Sequence, residues 1–276
     1  MKSSEDRFSV PACADRLRSL YSTLNHREFV HPDPLEFLYS YEDVRDREIA
    51  GLIASGLAYG NVKQILKSVS LVLGRMGRPA EFLLESGREA LDKEFHDFKH
   101  RFTTGSELAA LLFAAKRIQE DHGSLEACFL TGMHDEDRTV IPALTRFVEG
   151  LRAAGRLVVP GSLIPSPEKG SACKRLNLFL RWMVRRDGVD PGGWDRVPCS
   201  KLIVPLDVHM HRLGLMLGFT YRKAANLKTA FEITDAFRKI DPEDPVRFDF
   251  CLTRLGIKPE ILETDDKCAL LEMVRG

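Results

Sequence analysis

Apolar residues recur every three or four positions along almost the whole chain, and alternating runs of the strand type are scarce. This spacing predicts amphipathic α-helices, because it places the apolar side chains on one face of each helix. The predicted helices cover residues 12–29, 44–58, 61–74, 106–121, 139–154, 171–186, 208–217, 227–240 and 245–255. The pattern therefore predicts an all-α fold.

Local signals mark several ends of these predicted helices. Ser106 is a predicted N-cap, and Asp244 followed by Pro245 predicts a helix start, where the missing proline N–H does no harm. Glycine is typical just after a helix C-terminus. Such positions are occupied by Gly74, Gly218 and Gly256.

Two long irregular segments, residues 155–170 and 186–205, are rich in proline and glycine and bracket the predicted helix at 171–186. Long loops in a compact helical protein are often functional, so the helix between them is a candidate for a functional site. We expect two closely packed helical subdomains. They are a central one at residues 44–154 and a second one, with the candidate active-site helices, at residues 1–43 plus 155–276.

The composition is that of an ordinary globular chain of 276 residues, with 44% hydrophobic and 29% charged residues. The formal net charge is zero, which argues against a wholly basic nucleic-acid binder but allows a local basic face. No apolar run is long enough to span a bilayer, and the opening "MKSSEDRFSVPACADRL" lacks the apolar region of a signal peptide. We expect a cytoplasmic protein without a membrane partner.

The six cysteines are scattered and form no C-x-x-C pair. Zinc sites and iron–sulfur clusters need closer clustering, so reduced thiols, no metal and no cofactor are predicted. The cysteines are Cys13, Cys128, Cys173, Cys199, Cys251 and Cys268.

The helix "SACKRLNLFLRWMVRR", between the two loops, carries the densest basic cluster in the chain. Lys174, Arg181 and Arg185 fall together opposite its apolar face, and Arg175 flanks them. One interpretation is a solvated face, and the other is a phosphate-facing surface with one lysine held among arginines. A lysine that is neutral part of the time can act as a nucleophile toward an electrophilic carbon.

The segment "PLDVHMHRLGLMLG" places Asp207 at the head of a helix that stops at Gly218. Asp207 is either a plain N-cap or the edge of an active site, and the two roles are compatible. The second long loop could bring Asp207 back beside Lys174. There the carboxylate would take the proton of the lysine or stabilise a cationic, sugar-like transition state.

His209 and His211 form an H-x-H pair in the same segment. On a helix their side chains diverge by about 200°, so a metal site made by both histidines is disfavoured.

The run "VPLDVHMHRLGLMLG" resembles the segment that carries the essential aspartate in helix-hairpin-helix DNA glycosylases, in particular the lysine-bearing 8-oxoguanine branch. The resemblance implies a nucleophilic lysine before the aspartate, which Lys174 matches by position, with Asp207 as its activator. It also implies that His209 lies near a backbone phosphate. The glycine-rich hairpin of that superfamily is replaced here by "IPSPEKGSACK", with Gly170 as the nearby glycine.

Two further segments share in this resemblance. Residues 47–83 are similar to the first core helices of the superfamily, and the break "AYGN" between them makes Tyr59 and Asn61 candidates for DNA contact. "DPVRFDFCLTRLGI" corresponds to a base-reading helix, with Phe248 and Asp249 as candidates. Burial of Phe248 in the core is the other interpretation, and for a phenylalanine on a helix it is the more common one.

The sequence thus predicts a DNA repair glycosylase/lyase of base excision repair that removes an oxidised purine from DNA through a Schiff base on Lys174. Two alternatives stay open at this point. One is a non-catalytic nucleic-acid-binding protein on the same fold, which keeps the basic helix without the chemistry. The other, less favoured, is a metal-dependent hydrolase that uses His209 and His211.

Overall fold

Helices dominate the computed structural model, which describes residues 10–154 and 163–257. The all-α fold class is therefore confirmed. The α-helices are α1 (Val10–Leu24), α2 (Val44–Gly56), α3 (Val62–Met76), α4 (Pro79–Glu85), α5 (Arg88–Glu94), α6 (Gly105–His122), α7 (Leu125–Thr131), α8 (Ile141–Ala154), α9 (Lys174–Val184), α10 (Val208–Met216), α11 (Leu227–Arg238) and α12 (Asp249–Ile257). Short 3₁₀ helices cover Arg27–Phe29, Pro34–Ser40, Pro167–Lys169 and Cys199–Lys201.

A two-stranded antiparallel hairpin interrupts the helices, with β1 at Lys99–His100 and β2 at Thr103–Thr104. Neither this hairpin nor the seven-residue helices α4, α5 and α7 were expected from the sequence. Elements this short contain too few residues to show a period of three or four, which explains why the apolar pattern did not reveal them.

Several predicted helix ends are wrong by a few residues. The N-cap of α6 is Thr104, which forms a capping box with Glu107, instead of Ser106. Gly77, and not Gly74, follows α3, while Gly218 does follow α10 with a positive φ of 67°. The helix expected from residue 245 begins only at Asp249.

Helix α2 lies at the centre of the hydrophobic core and is buried along most of its length. It packs against α4, against α9 and against the 3₁₀ helix at Pro34–Ser40. A Cβ atom added to Gly51 would lie 3.3 Å from the Phe179 ring, so this glycine permits the close approach of α2 and α9. The predicted division into two subdomains stays a prediction.

Buried carboxylates of α2 hold other elements in place. Asp46 accepts a hydrogen bond from the Ala80 N–H at 2.8 Å. Glu48, which is fully buried, accepts hydrogen bonds from the Leu125 and Glu126 N–H groups at the start of α7. It also accepts one from the indole Nε1–H of Trp194 at 3.1 Å. One side chain therefore ties α2 to α7 and to the loop after α9.

That loop, residues 186–205, folds back along α9 and does not project into solvent. The Trp194 N–H donates to the Met183 carbonyl at 2.8 Å, and the Trp194 side chain is fully buried. Further along, the Val204 N–H donates to Thr234 Oγ1 of α11 at 3.1 Å. These contacts fix the path of the chain that leads to Asp207. The other long segment, 155–170, is described only from residue 163 onward.

Within residues 10–154 and 163–257, no helix is long and apolar enough to cross a membrane. The cysteines whose side chains are described, Cys128, Cys173, Cys199 and Cys251, are free thiols. Burial raises the pKa of Cys128 to about 11, which makes its thiol unreactive at neutral pH. The side chain of Cys13, like the whole of Cys268, lies outside the described residues.

Candidate active site

Lys174 and Asp207 form an ion pair, with Lys174 Nζ 3.3 Å from Asp207 Oδ2. Lys174 is the first residue of α9, and Asp207 is the N-cap of α10. The other carboxylate oxygen, Oδ1, accepts the Met210 N–H at 2.8 Å. Asp207 therefore caps a helix with one oxygen and holds the lysine with the other, so both roles considered for it are compatible in the structure.

The backbone before Lys174 is tightly turned. Gly170 has a φ of 74° and Cys173 a φ of 46°, which is uncommon for a residue with a side chain. The Cys173 N–H donates to Ser171 Oγ at 3.2 Å, and Asn177 Nδ2 donates to the Ala172 carbonyl at 2.9 Å. The segment "IPSPEKGSACK" thus makes a compact turn of its own in front of the lysine.

Both residues of the Lys174–Asp207 pair line a cavity of about 170 Å³. The lining also includes the fully buried Asp249, whereas Lys174 is partly exposed. A cavity of this size has the volume of roughly five or six waters, which suits one small planar group. The walls are formed by Ala58, Val62, Leu178, Trp182, Phe250 and Arg254, among others.

Two polar atoms of the cavity lining are buried without a hydrogen-bond partner in the described part of the chain. They are the indole nitrogen Nε1 of Trp182 and the carboxylate oxygen Oδ1 of Asp249. Buried polar groups are nearly always hydrogen-bonded, so these two atoms, on residues beside the cavity, are exceptions to that rule.

Burial raises the pKa of Asp249 to about 6, against the opposing effect of the Arg181 guanidinium. Asp207 contributes further to the rise. The carboxyl group is therefore mostly ionised at pH 7 and becomes protonated in mildly acidic solution. At neutral pH its free oxygen is an acceptor for a donor on a ligand.

Arg181 and Arg185 are buried in a network of aspartates, which differs from both interpretations of the basic face. Arg181 binds Asp190 and Asp249, while Arg185 binds Asp187, Asp190 and Asp244. Only 3% of the side chain of Arg185 and 4% of that of Arg181 is exposed. A helical wheel could not show this, because the aspartates come from the loop after α9 and from the segment before and at the start of α12.

Arg175, next to Lys174, lies over the ring of Tyr59 at 5.0 Å and donates to the Gly56 carbonyl. The Tyr59 hydroxyl bonds the hairpin, at the His100 carbonyl and at Thr103 Oγ1. Asn61 is exposed and caps α3 through the Lys63 N–H. The α2–α3 break thus lies beside the candidate site, with its tyrosine engaged and its asparagine at the surface.

The remaining predicted site residues are more widely spread. His209 is exposed in the first turn of α10, close to Asp207. Its neighbour His211 bonds the Arg222 carbonyl at 2.8 Å. Among the described residues, no group of three or more histidines, cysteines or carboxylates could hold a metal ion. Phe248 is 1% exposed and packs on Phe237 and Tyr21, as its core interpretation expects.

Sequence reasoning did not select Trp182, Leu178 or Arg254 as lining residues. A signal was present, because Lys174, Leu178, Arg181 and Trp182 follow the i, i+4, i+7, i+8 spacing of a single helix face. Arg254, which donates to the Val30 carbonyl and to Asp33, reaches the cavity through long-range packing that no local pattern reveals.

These features define an all-α protein in which a lysine at a helix start and a capping aspartate meet in the lining of a partly polar cavity. The chain belongs to the family described as "Protein of unknown function (DUF2400)", whose model matches residues 33–258. That match includes both Lys174 and Asp207. A comparison with curated proteins and a comparison with solved structures each found no match.

Proposed function

We propose that this protein is a DNA glycosylase/lyase that removes a damaged purine through a Schiff base on Lys174. The observation that carries the proposal is the Lys174–Asp207 pair, 3.3 Å apart, in the lining of a cavity. A lysine beside a carboxylate is the arrangement that nucleophile activation requires. The resemblance of "VPLDVHMHRLGLMLG" to glycosylases supports the same assignment, and the proposed place of action is the cytoplasm.

In the proposed reaction, the Asp207 carboxylate accepts a proton from the Lys174 ammonium group. The free amine attacks C1′ of the nucleotide while the bond from C1′ to the base breaks, and the base leaves with the bonding electrons. The leaving base takes a proton from the attacking nitrogen. Protonated Asp207 then gives its proton to the ring oxygen O4′ as the bond from C1′ to O4′ breaks, and the lone pair of Nζ forms the double bond of a protonated Schiff base between Nζ and C1′. Asp207, ionised beside this cationic centre, stabilises it.

The cavity would hold the flipped base. A flipped base is read by hydrogen bonds at its edge and by stacking against aromatic or apolar side chains. Trp182 Nε1 would donate to an acceptor of the base, and Asp249 Oδ1 would accept from a ring or amino N–H. A guanine-type edge offers both groups, and the resemblance to the 8-oxoguanine branch favours an oxidised purine as the base.

Borohydride trapping tests this function. We expect wild-type protein to form a covalent adduct with a duplex that contains 8-oxoguanine opposite cytosine, and with a duplex that contains an abasic site. Lys174→Gln should form neither adduct, because the amide cannot make a Schiff base. A matched control is Lys169→Gln, which removes an exposed lysine just before the turn. Undiminished trapping by Lys174→Gln would overturn the assignment.

A non-catalytic nucleic-acid-binding protein is the second candidate function. It is favoured by exposed cations on α3 and on the hairpin, which lie in a groove separate from the cavity. In that case wild-type protein would bind DNA in a salt-sensitive manner and give no adduct or product on any substrate. The Asp207→Asn variant would bind DNA with the same affinity as wild type.

A further inference from the structure

The tip of the hairpin carries the most exposed phenylalanine among the described large apolar residues. Phe102 is 77% exposed and follows Arg101, which has a φ of 52°. A single exposed apolar side chain is ordinary on a protein surface. Here, however, the aromatic ring lies in the turn between the two strands of the hairpin, and the Arg101 guanidinium lies 5.6 Å from its centre.

The hairpin is held rigidly despite its short strands. The Tyr59 hydroxyl is hydrogen-bonded to the His100 carbonyl oxygen at 2.9 Å and to Thr103 Oγ1 at 2.7 Å. The His100 ring is buried and lies between Ser68 Oγ, at 2.9 Å from Nδ1, and the Tyr59 carbonyl, at 3.2 Å from Nε2. Because the carbonyl can only accept, Nε2 carries the proton and Nδ1 accepts from Ser68. Burial lowers the pKa of His100, so the ring stays neutral at pH 7.

A groove of about 330 Å³ beside the hairpin is strongly basic. Its lining includes the cations Lys67, Arg75, Lys99 and Arg101 and one carboxylate, Asp97, which is engaged by Arg75 at 2.8 Å. Lys67, Lys99 and Arg101 are exposed and have no carboxylate within 4.0 Å in the described parts of the chain. In a chain of zero net charge, such a groove complements a polyanion.

The segment between α2 and α3 contacts residues that line the groove and residues that line the cavity. Tyr59 contacts both the hairpin and Arg175, the neighbour of Lys174. A Cβ atom at Gly60, whose φ is 98°, would lie 2.6 Å from the Arg101 guanidinium, so this glycine lets the hairpin pack closely on the segment. Ala58 and Val62, on either side, line the cavity. The hairpin and the cavity are therefore joined through this one segment.

We propose that the Lys99–Thr104 hairpin is a duplex-contacting wedge, with Phe102 inserted into the base stack and Lys67, Lys99 and Arg101 bound to backbone phosphates. The inference rests on the proposed function for the identity of the duplex, and it adds the element that would open the stack. Apolar side chains inserted between base steps unstack and kink DNA, and the cost falls when the nucleotide is already unpaired. Double-stranded DNA is the partner that offers both a phosphate track and a base step to the two parts of this surface.

The test measures base stacking and covalent trapping on the same duplex, which carries 2-aminopurine next to an abasic site. A single strand with the same abasic site serves as a second substrate, whose bases need no unstacking from a duplex. Wild-type protein should raise the 2-aminopurine fluorescence. Phe102→Ala should lose most of this rise and trap the duplex about tenfold more slowly, while it traps the single strand at the wild-type rate. Leu84→Ala, which removes a 51% exposed leucine on α4, is the matched control and should match wild type in every measurement.

The outcomes separate this inference from the proposed function. Unchanged fluorescence and unchanged duplex trapping in Phe102→Ala would overturn the wedge, whether or not the lysine forms a Schiff base. A fluorescence rise that depends on Phe102, without any adduct in wild type, would support the wedge and overturn the glycosylase. Wild-type protein that traps the duplex without any fluorescence rise would support the lysine chemistry and overturn the wedge. Absence of both signals would overturn both.

Discussion

At the residue scale, the most informative side chain is Asp207, whose two oxygens have different partners. Oδ1 accepts the Met210 N–H and Oδ2 faces Lys174. The cap therefore keeps the carboxylate fixed beside the lysine.

Two substitutions should separate these two functions of Asp207. Asparagine caps helices as well as aspartate, so Asp207→Asn should leave the free energy of unfolding within about 0.5 kcal/mol of wild type. The same variant should form the Schiff base about 10²- to 10⁴-fold more slowly, because its amide cannot accept the proton of the lysine. Asp207→Ala should lose the chemistry and, in addition, about 1 kcal/mol of stability.

Denaturant unfolding and the rate of borohydride trapping provide the two measurements. Equal trapping by wild type and Asp207→Asn would show that the carboxylate does not activate the lysine. A loss of stability in Asp207→Asn as large as that in Asp207→Ala would show that the capping geometry is not kept.

Sequence reasoning at this scale was strongest where a local signal and a family resemblance coincided. The resemblance suggested that Lys174 and Asp207 act together, and the structure brings their side chains into contact. Nothing local could show that Arg181 and Arg185 would be buried, because their partners Asp190 and Asp244 are brought to them by the loop and by a turn near α12. A helical-wheel projection shows the faces of one helix, whereas the burial of its side chains depends on which other segments pack against it.

At the scale of elements, α2 organises its surroundings through Glu48. This carboxylate accepts three N–H groups, two from the start of α7 and one from Trp194. These bonds lower the pKa of Glu48, but burial is the larger effect and raises it to about 7. The folded state thus binds a proton at this site that the unfolded chain, with an ordinary pKa of 4.5, has already lost.

The sign of the pH dependence follows from this difference. Between pH 4.5 and about 7 the folded state binds more protons at Glu48 than the unfolded state, so the free energy of unfolding falls as the pH rises. Glu48→Gln does not titrate and should lack this fall, which is on the order of 3 kcal/mol. At pH 5 the free energy of unfolding of the variant should already be about 1–3 kcal/mol below that of wild type. The reason is that the NH₂ group of the glutamine cannot accept the hydrogen bonds that one of the carboxyl oxygens of Glu48 accepts.

Urea unfolding of wild type and Glu48→Gln at pH 5, 6 and 7 measures the effect. Glu136→Gln, which changes an exposed carboxylate in a turn, is the control and should follow wild type. Parallel pH profiles for wild type and Glu48→Gln would contradict the raised pKa.

The long helices were largely predictable at the scale of elements, because α2, α3, α6 and α8 show the apolar period over several turns. The hairpin was not, since its strands are two residues each and its stability comes from Tyr59 and Ser68, which lie far away in sequence. The element on which our wedge inference rests is therefore one that only the structure could supply.

At the scale of the whole molecule, the zero net charge conceals an uneven distribution. The 40 basic and 40 acidic residues balance, yet many arginines are engaged in buried or surface pairs, while the α3–hairpin groove keeps exposed lysines. Zero net charge argues only against a wholly basic nucleic-acid binder, and the exposed cations of the groove form a local basic face of the kind it allows.

Salt dependence should report on this groove. The logarithm of the DNA association constant should fall linearly with the logarithm of salt concentration, and removal of one phosphate-binding cation should reduce the slope by about 0.9. The double variant Lys67→Gln/Lys99→Gln should therefore lower the slope by about 2. Lys228→Gln/Lys239→Gln, which removes the same charge from α11 and its C-cap, is the matched control. Equal slopes for the two double variants would contradict a phosphate track along the groove.

The double role of Asp207 also has an evolutionary consequence. Asparagine, serine and threonine all cap helices, so a descendant of this protein that loses its chemistry can exchange the aspartate for any of them and keep its fold. Alanine or a large apolar residue would cost such a descendant stability as well. Among related sequences, the residue at this one position should therefore separate those that still keep a proton acceptor beside the lysine from those that have kept only the scaffold.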